Sequence, residues 1–293
     1  MGSYSIKDLE RLSGIKAHTI RIWEKRYGLI HPERTSTNIR TYCDSELKKL
    51  LNISILNRNG LKVSKIAQLD NNEILALVNK LTTDTNNADS QLESLYIALI
   101  DLDESMFDKV LSRAIIQMGF EKMVTDLLYP FFYRIGIMWQ TGTITPAQEH
   151  FISNLVRQKL IVAIDSVVST TDPGIASFTL YLPEKEMHEL GLLFMHYLLK
   201  KRGFRVLYLG AVLPVESLKA IHKLKPSDYI VTSIVGSMPG EEVNYYLNKV
   251  SAEFPDKIIL ATGQQVESFT SDKENLVVLP SITNFIDYIE KIS

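Results

Sequence analysis

Residues 176–191 read ASFTLYLPEKEMHELG. A β-rich apolar run, Ser177 to Leu182, stops at Pro183. A polar loop follows, and an amphipathic helix is expected near 187–202. The unit then recurs. RVLYLG (205–210), YIVTSIV (229–235), KIILAT (257–262) and NLVVLP (275–280) are further short apolar runs, with helical stretches near 214–224, 240–254 and 281–292 and a short segment after Gly263. Strands alternating with helices predict an α/β, doubly wound parallel sheet over 175–293. Ligands of such sheets bind beyond the carboxyl ends of the strands, which makes the loop after Leu182 a candidate crevice.

Upstream, the period changes. Residues 91–169 repeat apolar positions every three to four residues and predict a four-helix bundle over 91–170, with helices near 91–101, 103–118, 120–138 and 145–168. Thr82 to Ser90 (TTDTNNADS) is almost free of apolar residues and reads as a linker. Ahead of it, residues 1–80 read as an all-α head with a small wing. Ser5 is placed to cap a helix through Leu12, with Asp8 three residues on. Gly14 breaks the chain and a second helix runs from Ala17 to Arg26, a helix-turn-helix spacing. Tyr27 to Pro32 and Ile39 to Tyr42, two short extended pieces around a polar tip at Glu33 to Asn38, suggest a β-hairpin wing. Asp44 is expected to cap a longer helix to about Arg58, ended by Gly60, with a short helix from Val63 to Gln68.

The 293 residues are 45% hydrophobic and 23% charged, an ordinary globular composition that excludes a disordered chain. The net charge of −2 divides unevenly: residues 1–80 carry +6 and the remainder −8. A basic head on an acidic body suggests that the head meets a polyanion. A single cysteine, Cys43, excludes intramolecular disulfides and cysteine-rich zinc modules. No apolar run has the length of a membrane span and no signal-peptide core is present, so a cytoplasmic protein with no membrane partner is expected. G-x-S-x-G, G-x-x-x-x-G-K and H-E-x-x-H are all absent, and no enzymatic activity is expected.

On the second helix, Thr19, Ile20, Arg21, Trp23, Glu24, Lys25 and Arg26 sit together. Arg21 and Lys25 are four apart and share a face, as a helix in a major groove requires. Arg34, Arg40 and Tyr42 on the wing are placed for phosphates, which anchor without reading sequence. Ile20, Trp23 and Tyr42 are also core candidates. The order T-I-R-x-W-E-x-R-Y-G-L-I-x-P-x-R, closing with N-x-R-x-Y (Thr19 to Tyr42), resembles the MerR family of winged-helix regulators over about residues 3–75. The resemblance implies dimeric binding to double-stranded DNA at a palindromic promoter site. Without cysteines beyond the head, metal or thiol sensing of that family's usual kind is not expected.

Two constellations stand out in the body. Trp139 is followed after nine residues by Glu149-His150, which fits either a cap over a flat ligand or a core tryptophan beside a helix start. Glu186-Met187-His188-Glu189-Leu190-Gly191 sets an imidazole in the candidate crevice, a carboxylate that can fix its tautomer, and a glycine that permits close approach of a large ligand. Alone, a loop histidine such as His188 is more often simply a surface or core residue.

Together, Trp-x9-Glu-His in a bundle and x-x-His-x-x-Gly on a doubly wound sheet resemble a cobalamin-binding module. Head, bundle and sheet in that order resemble the CarA/CarH/LitR group of regulators along nearly the whole chain. That resemblance implies a repressor that binds adenosylcobalamin or methylcobalamin, light-responsive in part of the group, and assembles as a homo-oligomer, dimer or tetramer. It implies that His188 ligates cobalt and that Trp139, Glu149 and His150 cap the upper ligand. Ser233 and Gly263 would contact the nucleotide tail. Glu186 stands where the group has aspartate, Gln264 where it has a second glycine, and Gln140 where light-sensing members have histidine. A MerR-type regulator with a degenerate body that binds another small ligand or a protein is the alternative, and a corrinoid methyltransferase component a further one.

Overall fold

In the computed structural model a reciprocal cap starts the first helix. The backbone N–H of Ser5 donates to Asp8 Oδ2 (2.8 Å), and the Ser5 hydroxyl accepts from the Asp8 N–H (3.3 Å). The structure describes residues 3–34, 38–84, 88–140, 144–168, 172, 174–236, 240–266, 269 and 273–292. At a few helical positions, Trp139 and Gln140 among them, it describes the backbone alone.

The head runs β1 (Ser3–Tyr4), α1 (Ile6–Ser13), α2 (Ala17–Tyr27), β2 (Glu33–Arg34), β3 (Arg40–Cys43), α3 (Asp44–Arg58), α4 (Val63–Ile66) and α5 (Asn71–Asp84). A wing forms, but its first strand falls at Glu33–Arg34, inside the expected polar tip, with Glu33 opposite Thr41, while Leu29 and Ile30 ahead of it are buried in the head's core. β1 joins its other edge in antiparallel register, Tyr4 opposite Tyr42. Gly14 sits at φ 69°, a left-handed turn that lets α1 end and α2 leave at an angle. The cap of α3 is Cys43 rather than Asp44; the Asp44 carboxylate instead accepts the Tyr4 hydroxyl (2.7 Å), tying β1 to the helix start.

The bundle follows as α6 (Ala88–Asp101), α7 (Glu104–Met118), α8 (Phe120–Lys122), a wide π-helical turn at Met123–Leu128, α9 (Tyr129–Gln140) and α10 (Pro146–Asp165). The third bundle helix is therefore not uniform. Its wide turn comes just ahead of Pro130, which has no N–H to give the carbonyl four residues back. The expected polar linker is largely helical, since α5 extends to Asp84 and α6 begins at Ala88; residues 85–87 lie outside the described ones. Every residue from Ser90 to Leu99 is buried, so this stretch of α6 has no solvent face. It packs on α3 of the head and on α7 of the bundle.

Backbone proximity divides the chain into Met1–Leu155 and Val156–Ser293. The second unit carries β4 (Ser177–Tyr181), α11 (Leu190–Lys201), β5 (Arg205–Gly210), α12 (Val215–Leu224), β6 (Tyr229–Ser233), α13 (Gly240–Glu253), β7 (Ile258–Thr262), a 3₁₀ turn at Gln264–Val266, β8 (Leu276–Leu279) and α14 (Ile282–Lys291). Among the described residues the sheet is parallel and five-stranded, in the order β5-β4-β6-β7-β8. Helices cover it, and Leu180, Ile230, Leu260 and Leu247 lie in its core. The strand order turns back between β4 and β6. That is the switch point of a doubly wound sheet, where the diverging loops leave a crevice.

Candidate functional site

The second helix of the head, α2, is held from outside itself. α2 has no side-chain cap of its own. Glu10 of α1 supplies one: its Oε2 accepts the Ala17 N–H (3.0 Å) and its Oε1 lies 3.1 Å from Lys16 Nζ. These contacts hold the Glu10 carboxyl below its ordinary value. Arg58, at the end of α3, donates to the Ser13 carbonyl at the turn (2.9 Å). No spacing rule points to Glu10 or Arg58, because their partners lie on other elements.

Ile20 and Trp23 are buried, as a core role requires, while Arg21, Lys25 and Arg26 are exposed and Thr19 half-buried. The Arg26 guanidinium lies 5.3 Å from the Tyr27 ring centroid. On the wing, Arg34 is exposed and donates to Asn38 (2.6 Å), and Arg40 Nε donates to Glu24 Oε1 (3.3 Å). Tyr42 departs from expectation. It is 1% exposed, and burial raises its hydroxyl above the ordinary value, so the ring serves the head's core rather than an outer phosphate. It is the inward member of a strand whose neighbours face out.

In the second unit, the loop after β4 is built around one carboxylate. Glu186 is fully buried. Its Oε1 accepts the N–H groups of Met187 (3.0 Å) and His188 (2.9 Å) and lies 2.5 Å from His188 Nδ1. Its Oε2 accepts the N–H groups of Val235 (2.8 Å) and Gly236 (3.1 Å), in the loop after β6. Burial alone would raise this group. The imidazole and four N–H donors outweigh it and hold the carboxyl down at about 2. The extra methylene of glutamate thus lets one side chain staple both loops of the switch point.

A carboxylate on Nδ1 assigns the proton to that nitrogen and the lone pair to Nε2. The His188 side chain is 62% exposed, with its ring against Gly236, where a Cβ would come within 2.9 Å of it. Glu189 is anchored separately, by Arg157 and by the Tyr208 hydroxyl (2.7 Å). His188 therefore stands between two fixed neighbours, with its ring oriented by the carboxylate on Nδ1.

The remaining predicted positions divide. Gly191 lies in the first turn of α11, and a Cβ there would meet nothing within 4 Å, so no contact within the chain requires a glycine at this position. Ser233 is the buried last residue of β6. Gly263 has φ 106°, and a Cβ would lie 2.3 Å from the Ile234 carbonyl oxygen, so only glycine fits. Gln264 is exposed. On α10, Glu149 accepts the Ser153 hydroxyl (2.6 Å) and lies 3.5 Å from the exposed His150. The side chain of Trp139 lies outside the described residues.

Residues 4–73 match the model of the MerR HTH family regulatory protein, and residues 91–163 match that of the B12 binding domain. The HTH-type transcriptional repressor CarH of Myxococcus xanthus is 29% identical over 86% of both chains. The chain is a CarA/CarH-like regulator. The repressor CarA of the same organism is 28% identical, over 85% of this chain and 84% of its own. The monomethylamine corrinoid protein of Methanosarcina barkeri shares the fold, with a TM-score of 0.52 at 14% identity, over 71% of this chain and all of that one. With repressors as its relatives along most of its length, the CarA/CarH-like chain is a DNA-binding, cobalamin-sensing regulator and not an enzyme. Among the described residues no helix is long and apolar enough to cross a membrane.

Proposed function

We propose that this regulator is a cytoplasmic repressor that binds a palindromic promoter site as a homo-oligomer, and that its body takes up adenosylcobalamin or methylcobalamin. Head 1–80, bundle 91–170 and sheet 175–293 are the working parts. Arg21 and Lys25 read DNA, and Arg26, Arg34 and Arg40 hold phosphates, with Thr19 beside them. His188 is the cobalt ligand and Glu186 sets its tautomer. Gly191, Ser233 and Gly263 receive the cofactor and its tail, and Trp139, Glu149 and His150 cap it. When bound, the alkyl corrinoid supplies a light-cleavable cobalt–carbon bond. The ligand sets assembly, and assembly sets DNA affinity by mass action.

The observation that carries this reading is the Glu186–His188 pair at the switch point, with Nδ1 held by the buried carboxylate and the imidazole 62% exposed. The test is the visible spectrum of the purified protein after dark incubation with each cobalamin. His188→Ala should keep its thermal melt while affinity falls at least tenfold, or about 1.4 kcal/mol. If the unmutated protein takes up no cobalamin at micromolar concentration, the reading fails and the degenerate-body alternative replaces it.

A further inference from the structure

The outer stripe of α2 is not uniformly polar. His18, Arg21, Ile22 and Lys25 are all exposed and follow the i, i+3, i+4, i+7 spacing of one helical face, opposite the buried Ile20 and Trp23. Ile22 is 50% exposed, although cationic side chains flank it on a head of net charge +6. An aliphatic side chain gains nothing from phosphates. The apolar feature that a major groove offers at a base edge is the C5-methyl of thymine. Ile22 lies within the stripe, next to Arg21 and three residues ahead of Lys25.

We propose that Ile22 is a specificity-determining residue that packs against a thymine methyl in each half-site, an inference that rests on α2 being the reading helix. Polar hydrogen-bonding groups on this face then select bases by donors and acceptors, and Ile22 adds selection by shape and dryness at a single position. The difference between thymine and uracil isolates this contact, because the two bases present the same hydrogen-bonding edge.

The test uses the full-length protein and a duplex that it selects from a random-sequence pool. Each thymine of the selected half-site is replaced in turn by deoxyuridine. One replacement should weaken binding by about fourfold, the worth of one buried methyl. Ile22→Ala should bind the thymine and uracil duplexes equally at that position, and Ile22→Val should keep most of the discrimination. Selection of no duplex overturns the DNA-reading assignment and this inference with it. A selected half-site that lacks thymine, or is indifferent to uracil throughout, overturns this inference alone. So does discrimination that survives undiminished in Ile22→Ala.

Discussion

Glu93→Gln should stabilise the unit that contains the head, and should do so more at pH 8 than at pH 5. Glu93 lies on α6 with its side chain 2% exposed, 3.3 Å from Arg58. Burial pushes its carboxyl up to about 7 against the pull of Ser54, Arg58 and Arg134, with Asp89 adding to the rise. The sign follows from linkage. A carboxyl with a raised folded-state value contributes most below its ordinary 4.5 and loses that contribution as pH rises through about 7. At about 1.4 kcal/mol per pH unit, the charged form costs the fold about 3 kcal/mol at pH 8 and about 1 kcal/mol at pH 5. Glutamine has no proton to lose, so its advantage should grow by about 2 kcal/mol between the two. Both tryptophans, Trp23 and Trp139, lie within Met1–Leu155, so denaturant unfolding followed by fluorescence reports this unit. An advantage that does not change with pH would refute the reasoning, because Arg58 would then neutralise Glu93 completely.

Arg21→Ala should cost about 1–3 kcal/mol of specific DNA binding if the guanidinium reads a guanine, measured by gel-shift titration. Glu186→Gln should lower the melting temperature at neutral pH, since an amide cannot accept from both loops at once. That deficit should vanish as pH falls through about 2, where the native carboxyl itself protonates. Gly263→Ala should destabilise the sheet by about 3 kcal/mol, because a left-handed backbone and a 2.3 Å clash with Ile234 act together; an unchanged melt would contradict both. Illumination of an adenosylcobalamin complex should leave a weak upper ligand, given Gln140 directly after Trp139; a bis-imidazole spectrum would show that a histidine has taken that place.

The sheet was legible because each strand is a short apolar run with helix on either side, and the five runs reappear within a residue or two as β4 to β8. The capping box at Ser5 and Asp8 was legible for the same reason: both partners are local. Helix α5 carried a similar sign, Asp70 and Glu73 exchanging backbone contacts at 2.8 Å ahead of ILALV, but polar residues at both ends hid it. Tyr42 was misread because alternation along a four-residue strand does not say which face is wet. His188 was legible as a loop imidazole. The reach of Glu186 to Val235 and Gly236 was not, since those donors lie about fifty residues away. Glu10 and Arg58 escaped for the same physical reason: long side chains choose partners in space.

A helix with ten consecutive residues out of water, as α6 has from Ser90 to Leu99, cannot fray from one side. Opening it strips the apolar backing from α3 of the head and from α7 at the same moment. Amide exchange along α6 should therefore be among the slowest in Met1–Leu155, and protection in α3 should fall with it rather than before it. A head cut away after residue 80 would present the face of α3 that α6 covers, with Leu50, Leu51 and Ile55 in the surrounding core, and such a fragment should aggregate. The smallest piece able to hold the reading helix in place then extends into the bundle, so that recognition of DNA and the integrity of the bundle are measured by one and the same unfolding event.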